Sequence, residues 1–307
     1  MDLWIAITIT SAFLQNIRSG LQKHLKGAMG TTGATFVRFG FGAPVALLLL
    51  AAILWWKQAP LPQFSWTFAL WVAVAAGAQI AAQALLVHLF AFRNFAVGSA
   101  YSRTEPVQAG IFGLLFLGDR MTAGAVAAIV LSVLGVMLIS VARGPVTPRA
   151  LVTSLVTPTA LTGLASGTLF GVAAVAYRAA SLTLGQTMQR PDFMVQAATV
   201  LVCAILLQSF VMLVWMLLRD PAELKRIRAA WKPSLLTGIA GALASFGWFA
   251  AMTLQQAAMV KALAQIEMLF TFATTVFVFR EPVNRLEIIG CTLIVAGIAV
   301  LLLTRLS

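Results

Sequence analysis

The chain has 307 residues, 61% of them hydrophobic and 10% charged, with a mean hydropathy of +0.95. A soluble domain carries about a quarter charged residues, and no water-soluble core of this size hides so much apolar surface, which excludes a cytosolic enzyme. The 21 Lys+Arg against 9 Asp+Glu give a net charge of +12; confined between apolar runs, that charge speaks for membrane orientation and not for a nucleic-acid partner.

Gly, Pro and charge clusters divide the chain into ten apolar spans, near 3–24, 31–56, 66–91, 94–117, 121–142, 158–183, 192–218, 233–255, 258–279 and 283–304. Each approaches or exceeds the ~20 residues a helix needs to cross a bilayer. The expected fold class is therefore an all-α polytopic membrane protein with ten transmembrane helices. Met1-Asp2-Leu3 lacks the basic flank of a cleavable signal peptide, so the first run is expected to stay as a helix.

In span one, Gln15, Arg18, Ser19 and Gln22 recur at helical spacing on one face. Lipid cannot satisfy such a stripe, so it lines a cavity or forms a polar seam between helices. Span two carries Arg38. Ionisable groups at bilayer depth are functional candidates by default, although Arg18 and Arg38 can also snorkel to the interface. In span three, Gln79 and Gln83 share a face, as substrate contacts or as helix–helix glue. Span four places Tyr101, Glu105 and Gln108 on one face, with Arg103 pointing elsewhere and Pro106 expected to bend the helix.

The stretch from Arg219 to Lys232, with Lys225, Arg226 and Arg228, reads as an amphipathic piece at the membrane surface. Trp248 in span eight offers an aromatic wall or simple packing. In span nine, Lys261 and Gln265 lie one turn apart and Glu267 points the other way. Trp4, Trp55, Trp56, Trp66, Trp215 and Trp231 fall near span ends, as an interfacial aromatic belt does. Cys203 and Cys291 read as packing residues. His24 and His88 are too few for a metal cage, and no cofactor is expected.

Six intramembrane ionisable residues stand out: Arg18, Arg38, Arg103, Glu105, Lys261 and Glu267. Their positive surplus suits a substrate bearing a carboxylate or another anionic group. Gln15, Arg18, Arg38, Gln83, Tyr101, Trp248, Lys261 and Gln265 form the expected substrate-binding set. Glu105 and Glu267 are the candidates for charge handling. A carboxyl in a low-dielectric cavity can exchange a proton with either face as access alternates; the alternative is that each permanently locks a basic residue. No metalloprotease motif, phosphate loop or nucleophile–base pair occurs, so no enzymatic activity is expected.

The second half repeats the first. One constant offset carries Ala96, Ala100, Glu105, Leu131, Val133 and Gly135 onto Ala258, Ala262, Glu267, Leu293, Val295 and Gly297. It also carries Asp119 onto Glu281, in the turns Phe116-Leu117-Gly118-Asp119 and Phe279-Arg280-Glu281-Pro282. Residues 1–150 and 151–307 thus form two five-helix repeats, and the odd number of spans inverts the second.

These acidic turns, the glycine-punctuated last span with Gly290, Leu293, Ile294 and Gly297, and the duplication resemble the EamA-type family of the drug/metabolite transporter superfamily over essentially the whole chain. The resemblance implies secondary transport through a central cavity between the halves, often export of amino acids or other small metabolites, though the family also includes importers. The tryptophan-glycine pair usual in the first span reads Gln15-Asn16 here, and Phe170-Gly171 in the second copy.

Twelve basic residues, Lys23, Lys26, Arg93, Arg143, Arg149, Arg219, Lys225, Arg226, Arg228, Lys232, Arg280 and Arg285, fall on one side of the predicted topology. Lys57, Arg120, Arg190 and Arg305 fall on the other. Cytoplasmic loops collect Lys and Arg, which puts both termini outside the cytoplasm, whereas many relatives of this kind are expected to have them inside. The expected protein is a secondary exporter in a bacterial-type inner membrane, monomer or homodimer, its partners a small-molecule substrate, the lipid bilayer and, if coupled, protons. The alternatives are an uptake carrier for an organic cation, and a non-transporting assembly or lipid-handling protein.

Overall fold

The computed structural model describes residues 2–25, 27–89, 95–142, 156–273, 276–277 and 284–303. The described elements are helical: α1 (Leu3–Leu25), α2 (Thr31–Gly40), α3 (Gly42–Lys57), α4 (Trp66–His88), α5 (Phe95–Ser102), α6 (Glu105–Leu117), α7 (Ala123–Ala142), α8 (Pro158–Gln186), α9 (Phe193–Arg219), α10 (Ala222–Ala229), α11 (Trp231–Leu254), α12 (Ala257–Leu263), α13 (Ile266–Ala273) and α14 (Arg285–Leu303). The second acidic turn, 279–282, lies outside the described residues. So do Lys26, Arg93, Arg143, Arg149, Arg280 and Arg305 from the charge count.

Among the described residues, seven helical stretches are long and apolar enough to cross a membrane: Thr32–Lys57, Trp66–Leu86, Ala123–Ala142, Pro158–Gln186, Phe193–Arg219, Trp231–Leu254 and Arg285–Leu303. The first takes in α2 and α3, which meet at Phe41. Three of the ten expected spans fall outside this set, for two reasons. Helix α1 is long enough but carries the polar stripe of Gln15, Arg18, Ser19 and Gln22. The predicted spans near 94–117 and 258–279 are each broken into two shorter helices.

Both breaks are tight turns at equivalent positions of the repeat. The N–H of Arg103 bonds the carbonyl of Ala100 at 3.1 Å, and that of Gln265 bonds Ala262 at 3.2 Å. Pro106 does not bend a continuous helix as expected. It lies in the first turn of α6, where its missing N–H leaves no helical bond unmade, and the break at Ala264 and Gln265 contains no proline at all. Helix α6 ends at Gly118, whose φ of +67° closes the last turn: its N–H bonds the Leu114 carbonyl at 3.2 Å and the Asp119 N–H bonds that of Gly113 at 3.1 Å.

The chain folds into two compact units that cut across the sequence halves. The first is Met1–Gly77 with Ala176–Leu254; the second is Ala78–Val175 with Gln255–Ser307. In the first, α11 packs on α1, α2, α3 and α9. A Cβ at Gly238 would lie 2.6 Å from the Phe41 carbonyl carbon, so glycine is what lets α11 reach the α2–α3 junction. In the second, α7 and α14 form the most extensive pairing. A Cβ on Gly135 would meet the Gly290 carbonyl at 2.5 Å, and one on Gly290 would meet the Gly135 carbonyl at 2.6 Å. Close approach of small residues is how helices hold together where lipid is as apolar as leucine.

Most of the expected tryptophan belt is exposed: Trp55, Trp56, Trp66, Trp215 and Trp231. Trp4 is the exception. It is 4% exposed, and its indole N–H donates to Asp2 Oδ2 at 3.4 Å.

At the start of α9, Asp192 accepts N–H bonds from Met194 at 2.9 Å and Val195 at 3.2 Å, and it pairs with Lys57 Nζ at 3.0 Å. Burial pushes its carboxyl up, but the Lys57 hydrogen bond, the two backbone N–H groups and the Lys57 charge outweigh it and hold it below the ordinary aspartate range. A depressed acid contributes stability above its unfolded pKa of about 3.9 and loses it as pH falls through the lower folded value. Melting of the wild type and of Asp192→Asn is expected to differ by about 1 kcal/mol at neutral pH. The two should begin to converge below about pH 4 and meet once pH has fallen through the lower folded value. A constant difference across that range would remove the ion pair and cap from the account.

Candidate functional site

In the first unit, the polar stripe of α1 faces α11 and α2. Gln15 Oε1 accepts from the Trp248 indole N–H at 3.0 Å, and Gln22 Nε2 donates to the Ala34 carbonyl at 2.9 Å. Ser19 is exposed and bonds back to the Gln15 carbonyl at 2.8 Å. Arg18 is buried. Helix α2 brings Arg38 to the same place: a Cβ at Gly241 would lie 3.1 Å from Arg38 Cγ and 3.3 Å from Arg18 Cδ. Glycine on α11 therefore makes room for two arginine stems from two different helices.

Arg38 Nη2 reaches Ser245 Oγ at a long 3.4 Å, and its buried Nε meets no acceptor among the described residues. Arg38 also lies within electrostatic reach of Arg18 and Tyr177. The buried Tyr177 hydroxyl accepts from Gln208 Nε2 at 3.1 Å, and its ring packs 4.2 Å from that of Phe249. The acids of this unit have contacts away from the pair. Asp2 accepts from Trp4, Asp192 holds Lys57, and Asp220 and Glu223 hold Arg226. Two arginine side chains brought together over one glycine have the chemistry to hold an anion, since Arg presents a planar fork that matches a carboxylate in bidentate fashion.

Tyr177, Gln208 and Ser245 join this cluster without having been singled out from the sequence. A partial signal was present for Ser245, which shares a helical face with Gly241 and Trp248. Gln208 is one of few polar residues in a 27-residue apolar helix, and lipid-facing placement of such a group is costly.

In the second unit the site residues gather around the two breaks. Glu105 opens α6 and Glu267 lies in the first turn of α13, where helix N–H groups are open to acceptors. Lys261 Nζ pairs with Glu105 Oε1 at 2.8 Å, joining α12 to α6. The expected single face of Tyr101, Glu105 and Gln108 is interrupted, because Tyr101 belongs to α5. The Tyr101 ring sits in an apolar cluster with Val97, Ala100, Val141 and Ala160. Gln265 is buried within the second break. Gln83 follows Ala82, whose carbonyl accepts from Ser166 at 2.9 Å.

Helix α8 closes on the first break through glycines. A Cβ at Gly167 would lie 2.9 Å from the Ser102 carbonyl, and one at Gly171 would lie 3.1 Å from the Ala109 nitrogen. Gln108 Oε1 is buried there with no hydrogen-bond partner among the described residues. No group of three or more His, Cys, Asp or Glu suited to a metal ion occurs among the described residues.

The model of the EamA-like transporter family matches residues 2–141 and again residues 165–303. The chain belongs to the EamA-like transporter family. Its two matched segments are the two repeats, and this EamA protein is a multi-pass membrane transporter of the drug/metabolite type. Among solved structures it is similar to one titled only as a crystal structure of a protein, with a TM-score of 0.70 and 20% identity over 99% of this chain and 98% of that one. That likeness concerns the fold alone. No curated protein matches the EamA sequence significantly.

Proposed function

We propose that this EamA transporter exports a small polar metabolite bearing a carboxylate, by alternating access of two inverted five-helix repeats, 1–150 and 151–307, in ten spans. The observation that carries the reading is the convergence of Arg18 and Arg38 over Gly241, with Arg38 Nε meeting no acceptor among the described residues. Two guanidiniums at one glycine repel each other, and a carboxylate between them relieves that repulsion while accepting from both. Gln15 and Trp248, already bonded to each other, form the adjoining wall. Glu105 and Glu267 handle charge or protons. The engagement of Glu105 by Lys261 weighs against an organic cation as cargo. The Lys and Arg bias puts both termini on the non-cytoplasmic side of a bacterial-type inner membrane.

A panel of amino acids, organic acids and quaternary amines, scored by thermal shift on the purified protein and followed by counterflow, tests the substrate class. Stabilisation by carboxylates and not by amines is expected; the reverse would replace this reading with cation uptake. Glu267→Gln should abolish proton-driven flux in proteoliposomes while counterflow persists and melting stays unchanged. Undiminished proton-driven flux would take Glu267 out of the mechanism.

A further inference from the structure

Four basic side chains stand apart from that site, at the end of the first unit where α9, α10 and α11 meet. Arg219, Lys225, Arg228 and Lys232 are all exposed. Arg219 lies 5.2 Å from the Trp215 ring and Lys232 lies 5.9 Å from the Trp231 ring. Both rings are themselves exposed. Tryptophans at span ends sit at headgroup level, and they set the depth of the charges stacked on them.

Helix α10, between them, does not offer lipid an apolar face. Its Ile227 is buried among Leu25, Met29, Ala34, Val37 and Met216, with Leu224 packed against the same cluster. Its glutamate is also turned inward: Glu223 Oε1 accepts from the Gly30 N–H at 2.8 Å and from Arg226 Nη1 at 2.6 Å. Asp220, beside it, is held by Arg226 at 3.5 Å. The outward surface of α10 is thus basic, with the nearby acids engaged by Arg226 and exposed tryptophan rings at its edges. An inserted amphipathic helix would bury its apolar side in the bilayer; this one buries it in protein and presents charge.

We propose that Arg219, Lys225, Arg228 and Lys232 bind the phosphate headgroups of anionic phospholipid in the surrounding bilayer. Each Lys or Arg near an anionic surface strengthens attachment, and three together account for on the order of a hundredfold in affinity. The source is lipid and not free phosphate, because the flanking tryptophans hold the charges at headgroup depth. The inference does not depend on the identity of the cargo.

The test uses the full chain in non-ionic detergent, titrated with phosphatidylglycerol, phosphatidylcholine or inorganic phosphate. Melting is followed, and native mass spectrometry counts retained lipid. Phosphatidylglycerol alone should stabilise the wild type. In Lys225→Gln/Arg228→Gln/Lys232→Gln, the phosphatidylglycerol needed for that effect should rise by on the order of a hundredfold, with lipid-free melting unchanged. The proposal is overturned if the triple variant responds as the wild type does, if phosphatidylcholine stabilises equally, or if inorganic phosphate at the same concentration reproduces the effect.

Discussion

Arg38→Gln is expected to weaken substrate binding about a hundredfold, because a charge-assisted hydrogen bond at a buried site contributes about 2–3 kcal/mol. The measurement is the concentration dependence of thermal stabilisation by whichever carboxylate the panel identifies, repeated as counterflow. Arg38→Lys separates charge from geometry. Lysine keeps the point charge but lacks the planar fork, so it should restore only part of the affinity. Gln at this position keeps most of the stem and removes a charge that Arg18 repels, so the fold should be unharmed. An unchanged affinity in Arg38→Gln would leave the arginine pair as scaffolding and sink the binding site proposed above.

The second large effect concerns the Lys261–Glu105 pair. Lys261→Met leaves Glu105 without its cation at partial burial, and melting should fall by about 2–3 kcal/mol. That is less than the 3–5 kcal/mol typical of a fully buried pair, since both side chains keep some open surface. Lys261→Met combined with Glu105→Gln removes both charges and should recover most of that loss, because an apolar or neutral replacement of a whole pair is often tolerated. Flux then distinguishes the roles. If the pair merely fastens α12 to α6, the double variant transports normally; if its charge moves during the cycle, the double variant is stable but inactive. The proposal that Glu105 handles charge requires the second result.

Much of the helical layout was readable from residue types. The run bounded by Asp192 and Arg219 gave a span of 192–218, and the helix is Phe193–Arg219; Leu3–Leu25 likewise matches the expected 3–24. Charged borders around long apolar runs leave few choices at a bilayer surface. The broken helices were harder. Pro106 hinted at trouble in one copy, but nothing local marks Ala264 and Gln265, where the break shows itself only through its backbone bonds. Arg18 and Arg38 stood out because a guanidinium at bilayer depth demands an explanation. Their meeting at Gly241, and the nearness of Tyr177, depend on how three helices pack, and no spacing rule spans that distance in the chain. Trp4 shows the opposite error. A tryptophan near a span end looked interfacial, yet the fold buries it.

The mutual contact of Gly135 and Gly290 has a mechanical consequence. Two rods touching backbone to backbone have no side-chain cushion to compress, so α7 and α14 can neither slide past one another nor roll without collision. They act as a splint. Among the described residues of that unit, the helix breaks at 103–104 and 264–265 lie outside this splint. Each break adjoins a glutamate, so a bend at either one swings a negative charge.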